Sequence, residues 1–310
     1  MTVETSLLRT FGFRSMAAAA LMAAPLAMAE DVVVMPERIA VDVEAAQQVE
    51  LAHGVDVVAD STGSAASRIS GVVGVDLYSH FVSYGLDVWG EGEAFSGSET
   101  LNPYAEIAVE FDTFNLAVGL WGDVNDNTAA SIGGELQEVD FYVGASKDVD
   151  KFSLGVTYQA WMYAGNTEKI LDVSIGYDDS ELWGNEGFTL SPSLTIHNRI
   201  GGDGLEKGTV VVLGGEYGVS LDEDCPVDLA VPFSLGYSLN DDYFRAGGDS
   251  GLAFLSVGVT ASYGLGDIIS AEYGEWSLNA GLTLYITEED VYQNPEDTFL
   301  VANVGISMAF

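Results

Sequence analysis

Few side chains in this sequence are equipped for covalent or metal chemistry. It holds one cysteine, Cys225, and three histidines, His53, His80 and His197. A single thiol forms no internal disulfide and no zinc cluster, so neither a metal site nor a cofactor is expected. His197 stands in Thr195-Ile196-His197-Asn198-Arg199. A hydrolase would need a hydroxyl within hydrogen-bond reach of that imidazole. Two residues on, where a same-face partner would lie on a strand, the sequence has Arg199 and no serine. We expect no catalytic residue and no enzyme, and His197 and Arg199 read as structural or pore-lining groups.

Carboxylates are the abundant chemistry. The 310 residues carry 48 Asp plus Glu against 10 Lys plus Arg, a formal net charge of −38. That balance excludes nucleic acid as a partner, because its binding runs on clustered Lys and Arg. Two kinds of acid can be separated. Glu91, Glu93 and Glu99, with Glu288, Glu289 and Asp290, fall in polar stretches without a twelve-residue calcium loop. Asp76, Glu106, Glu110, Asp140, Asp172, Glu216 and Asp228 instead alternate with apolar neighbours: Val75, Ile107, Val109, Val139, Val173, Tyr217 and Leu229.

That alternation belongs to the whole chain from Arg68 onward. Trp276, Leu278, Ala280, Leu282, Leu284 and Ile286 oppose Ser277, Asn279, Gly281, Thr283, Tyr285 and Thr287. Phe152, Leu154, Val156 and Tyr158 oppose Ser153, Gly155, Thr157 and Gln159. Successive side chains of a strand point to opposite faces, so each segment has an apolar and a polar side. A soluble sandwich hides the apolar side in a core; a transmembrane barrel turns it to lipid and keeps a polar interior. The segments are long. Membrane strands need ~9–11 residues, whereas soluble strands usually run ~5–6. The expected fold is therefore all-β, a transmembrane antiparallel up-and-down barrel in the cell outer membrane.

Twelve strands are expected, near 68–88, 102–112, 114–124, 135–147, 151–164, 168–178, 187–200, 208–221, 226–240, 252–265, 274–287 and 298–310. An even count puts both ends on the periplasmic side. Connections should then alternate short and long; 165–167 is too short and 179–186 too long for that rule, which leaves the count open by two. Residues 1–29 read as a signal peptide. Arg9 and Arg14 precede the apolar run Ser15 to Leu26, and Ala27-Met28-Ala29 supplies a cleavage site. Residues 30–67 read as a periplasmic extension or linker, or as a small plug. At the other end Ile306, Met308 and Phe310 share one face. They resemble the terminal assembly signal of Gram-negative barrels, which implies the barrel assembly machinery as a partner, with outer-membrane lipid and lipopolysaccharide around the wall.

The first strand reads Val75-Asp76-Leu77-Tyr78-Ser79-His80-Phe81-Val82-Ser83-Tyr84-Gly85, and a hairpin follows from Asn102 to Asp112 and Phe114 to Val124, with Gly119-Leu120-Trp121-Gly122. Over roughly a fifth of the chain these segments resemble the TorF-like family of outer-membrane porins. In that family an aromatic-rich strand ends in an aromatic-Arg-Gly triplet; Tyr84 stands here where the pattern has Arg. The resemblance implies a solute-transporting barrel and no particular solute.

Placing the seven alternating acids inside avoids the penalty of charge facing lipid. With His197 and Arg199 they form the expected pore lining: Asp76, Glu106, Glu110, Asp140, Asp172, His197, Arg199, Glu216 and Asp228. The expected function is passive diffusion of small hydrophilic solutes with a preference for cations. The alternatives are an interior filled by a hydrogen-bonded plug, and a non-conducting structural or adhesion barrel whose acidic loops do the work.

Overall fold

The computed structural model describes residues 68–310 apart from 90–98, 127–131, 164, 184–187, 203–205, 220, 222–224 and 293. The expected signal peptide, the extension 30–67, and Glu91 and Glu93 lie outside the described residues.

Alternation along the chain becomes a closed wall of twelve antiparallel strands. They are β1 (Ile69–Tyr78), β4 (Thr100–Glu110), β5 (Asn115–Val124), β6 (Leu136–Val149), β7 (Phe152–Tyr163), β8 (Asn166–Tyr177), β9 (Ser193–Gly201), β10 (Gly208–Val219), β11 (Val227–Ser238), β12 (Gly251–Gly264), β13 (Glu275–Thr287) and β14 (Thr298–Ala309). Each pairs with its neighbour in the chain, and β1 closes on β14. The seam runs from Val72 opposite Ala309 to Tyr78 opposite Asn303. Backbone bonds from Gly71 to Phe310 (2.9 Å) and back (3.0 Å) extend it by one pair.

The two faces differ as the pattern requires. Ile107, Leu120, Leu213, Val259 and Leu282 stand exposed on the outer wall, with many others like them. Patches of such size are an association liability in water. Here they form a continuous apolar belt on a closed barrel with no open edge, and only lipid covers such a belt. The protein is an outer-membrane β-barrel.

Strand β1 begins and β14 ends at one rim, the terminal end; the opposite rim is the loop end. Both irregular connections persist. β7 ends at Tyr163 and β8 begins at Asn166 at the loop end, whereas a long stretch of sequence separates Tyr177 from Ser193 at the terminal end. The late start of β9, expected at 187, has a local cause. Ser191 adopts φ 42°, Pro192 has no N–H to give a ladder, and the buried Asp179 carboxylate accepts from the amides of Leu190 and Ser191.

The first strand is also shorter than expected. Ser79 still bonds the wall, its N–H donating to Ala302 and its Oγ accepting from the Ala302 N–H. The chain then turns inward and forms a small hairpin, β2 (Val82–Ser83) with β3 (Leu86–Asp87). Tyr84 and Gly85 have φ of 46° and 85°, the two positive values that a tight two-residue hairpin turn demands. A Cβ on Gly85 would lie 2.8 Å from Phe254, so glycine answers both the turn and the close approach. The main core consequently sits inside the barrel at its loop end, where Phe81, Val82 and Tyr84 pack with Trp121, Trp161, Phe254 and Tyr292.

Candidate functional site

Inside the loop end, inward positions of neighbouring strands carry an interlocked polar cluster. Antiparallel register sets His197 on β9 directly opposite Asp172 on β8. His197 Nδ1 lies 2.8 Å from Asp172 Oδ1, while Gln159 Nε2 donates to Asp172 Oδ2 at 2.6 Å. Gln159 brings in a third strand, β7, and Trp161 Nε1 on the same strand donates to it at 2.9 Å. His197 is fully buried, its ring 3.9 Å from that of Tyr84 on the inserted hairpin and 5.4 Å from that of Trp161.

A second cluster lies next to it. Arg199 Nε donates to Glu168 Oε2 at 2.5 Å, and Nη1 donates to the carbonyls of Tyr243 (2.7 Å) and Glu206 (3.2 Å). Its guanidinium stands 4.2 Å over the Tyr243 ring, a cation–π geometry. Tyr163 donates to the same Glu168. A third cluster centres on the buried Asp123, which accepts from Thr100, from Asn125 (3.0 Å) and from Trp89 Nε1 (3.1 Å).

The inserted hairpin is held from two sides. Phe81 packs against Trp121 with ring centres 5.2 Å apart. From the loop beyond β13, which includes the short helix α1 (Glu289–Tyr292), Tyr292 donates to the Tyr84 carbonyl. Asn294 donates to Gly85 O at 2.9 Å and accepts from Asp87 N at 3.0 Å. Between this hairpin, strands β6 to β9 and the loop after β11 lies a cavity of about 600 Å³.

The structure sorts the nine expected lining residues into three groups. Asp76, Asp140, Asp172, His197 and Arg199 are buried on the inner face in the loop-end half. Of these, Asp140, His197 and Arg199 border the cavity. Glu106 and Glu216 are half-buried further down, and Glu106 accepts from Tyr142 at 2.9 Å across the strand between them. Glu110 and Asp228 share the inward phase but stand exposed at the terminal rim. Ile306 and Met308 point outward. The ring of Phe310 also lies outside, over Gly71, where a Cβ would come within 2.5 Å of it.

Several functional candidates escaped the sequence reading. Glu138 and Glu168 lie two and four residues from acids that were singled out, in the same phase, so strand phase alone could have found them. Asp123 shares the phase of Trp121 and could have been found the same way. Trp89, Tyr243 and Arg245 come from loops, and no periodicity marks them. Among the described residues no group of His, Cys, Asp and Glu is arranged to hold a metal ion.

Several solved barrels are similar in outline. The chain is 11% identical to the KdgM porin solved in complex with disordered oligogalacturonate, with a TM-score of 0.41, over 78% of this chain and 99% of that one. For the NanC porin the values are 10%, 0.44, 77% and 98%. For the translocator domain of the autotransporter NalP from Neisseria meningitidis they are 13%, 0.43, 81% and 91%. Each is a likeness of barrel to barrel alone. The chain matches no protein-family model and no curated protein sequence.

Proposed function

We propose that this barrel is a porin-like channel through which small hydrophilic solutes diffuse passively, with cations preferred. The observation that carries the reading is the excess of carboxylates on the inner face. Asp76, Asp123, Glu138, Asp140, Glu168 and Asp172 are buried there, and Arg199 is the sole Lys or Arg among the buried described residues. Fixed acids in a narrow, low-dielectric passage attract cations and repel anions. The opening segments that resemble the TorF-like family are in keeping with it. Purified protein in planar bilayers under a KCl gradient tests the reading. A stable current whose reversal potential favours K⁺ is expected, and an anion-favouring potential would overturn the preference.

A second reading has its own observation. His80 and Val82 are fully buried at the inserted hairpin, which favours a barrel that is closed at rest and acts through its surface. Absence of current in repeated wild-type preparations, with current appearing once the hairpin is removed, would select this reading.

We further infer that Phe310, with Ile306 and Met308, serves assembly. Deletion of Phe310, and Gly71→Val, which displaces the Phe310 ring, are both expected to lower the folded fraction. Normal levels and normal heat-modifiable gel migration in both variants would remove that role.

A further inference from the structure

The cavity at the loop end joins three features. Its wall is aromatic, with Trp89, Trp161, Tyr163 and Phe244 among its rings. Its ionisable lining is lopsided: five acidic residues, Glu138, Asp140, Glu168, Glu206 and Asp242, stand against two arginines, Arg199 and Arg245. Arg199 is engaged by Glu168 at 2.5 Å, which leaves the balance of the cavity acidic.

The third feature is an unmade hydrogen bond. His197 lines the cavity and is fully buried. Its Nδ1 faces the Asp172 carboxylate at 2.8 Å. A carboxylate only accepts, so Nδ1 is the donor of that pair, and in the tautomer that carries its one proton there Nε2 is an acceptor. Nε2 has no hydrogen-bond partner among the described residues. A buried polar atom without a partner is costly to keep, and a donor brought by a ligand would satisfy it.

We propose that this cavity binds small organic cations, namely amines or guanidines with an apolar body. The positive charge answers the acidic lining, the body lies on the rings, and an N–H donor reaches His197 Nε2. Aromatic faces add attraction for a cation through their quadrupole. A bare metal ion would leave the rings unused, a sugar would leave the charge excess unanswered, and an organic anion would be repelled. The inference deepens the cation-preferring channel and rests on it, since the cavity becomes a station on the solute path.

Trp89 and Trp161 make binding visible as a change in tryptophan fluorescence of the detergent-solubilised protein. The probes are phenethylamine and phenylacetate, which share a ring and differ in sign of charge. Saturable binding at least tenfold tighter for the amine is expected. The Glu138→Gln, Asp140→Asn double variant should weaken the amine at least tenfold, while Glu272→Gln at the terminal end should leave it unchanged. Phe244→Leu, a loop change that spares the strands, should weaken it about fivefold and serves where the double variant does not fold. Equal or tighter binding of phenylacetate, or wild-type amine affinity in folded variants, overturns the proposal. Bilayer currents on the same preparation separate the two readings. Amine binding without current sinks the channel and leaves the site; current without amine binding sinks the site and leaves the channel.

Discussion

The two halves of the lumen are built from the same strands in the same phase, and they could hardly be more different. On β6 the inward positions run Glu138, Asp140, Tyr142, then Gly144 and Ser146. On β7, which runs the other way, they begin Ser153, Gly155, Thr157 and finish Gln159, Trp161, Tyr163. On β8 the order reverses again, from Glu168, Ile170 and Asp172 to Ser174 and Gly176. Large polar and aromatic groups thus gather at the loop end, and small ones at the terminal end. Phase decides which side chains face inward; size along each strand decides where the interior is filled. A barrel of this strand number lies between filled eight-strand barrels and open sixteen-strand porins. Its constriction must therefore be supplied by side chains and by an inserted segment. The loop-end half has both.

The largest effect should come from removing that segment. Replacing Phe81–Val88 by a short Gly-Ser linker leaves every barrel strand intact, since β1 ends at Tyr78 and β4 begins at Thr100. Single-channel conductance is expected to rise at least about threefold, toward that of a barrel narrowed by side chains alone. Unchanged conductance would place the constriction elsewhere and break the contrast between the halves.

Charge offers the next test. Replacing Asp76, Glu106 and Asp140 together by their amides should move the reversal potential toward neutrality, because two of the three are buried on the inner face. Amides at Glu110 and Asp228, exposed at the terminal rim, should move it much less, since salt screens exposed charge within ~8 Å at physiological strength. A larger shift from the rim pair would reverse the assignment of the two halves.

How far the sequence could anticipate this contrast depends on which interactions are local. Strand phase is local, so twelve segments, an apolar exterior and an inward Asp76, Asp140, Asp172, His197 and Arg199 were legible. Register is not local. Nothing in the one-dimensional pattern pairs Asp172 with His197 or Arg199 with Glu168, because those contacts depend on how β8 and β9 slide past each other. The inserted hairpin is the clearest miss. Its alternation continues that of β1, and it is drawn inward by Tyr292 and Asn294, some two hundred positions away. The Tyr84-Gly85 pair was a usable turn signal that a chain-long period-two pattern obscured.

Stability should follow the same division. Arg199→Ala leaves Glu168 buried without its guanidinium, and breaking a buried pair from one side costs about 3 kcal/mol or more. Glu168→Gln with Arg199→Met removes both charges and should be far milder. Urea unfolding in lipid vesicles measures both. A double variant as damaging as the single one would show that packing around Tyr243, and not charge, governs this corner.

The smallest effects belong to the terminal end, where two polar contacts sit side by side and should differ from each other. Asp179 is buried and accepts from Leu190 N, Ser191 N and Trp183 Nε1, the last at 2.6 Å. Asp179→Ala strands those donors and should cost about 1–3 kcal/mol. Lys151 meets Glu181 at 2.6 Å in the same region, but in solvent. Its hydrogen bond to Glu181 holds the ammonium pKa above its ordinary value. A raised lysine pKa contributes stability that is fully present below the unfolded value and lost as pH climbs through the folded one. The contribution is thus complete at pH 7 and fades only above the ordinary lysine range. Because water screens the pair, Lys151→Met is expected to leave the urea midpoint at pH 7 within error of wild type, while Asp179→Ala lowers it clearly. A midpoint that falls as far for Lys151→Met as for Asp179→Ala would mean that the 178–192 connection is held to the barrel by charge and not by the buried carboxylate.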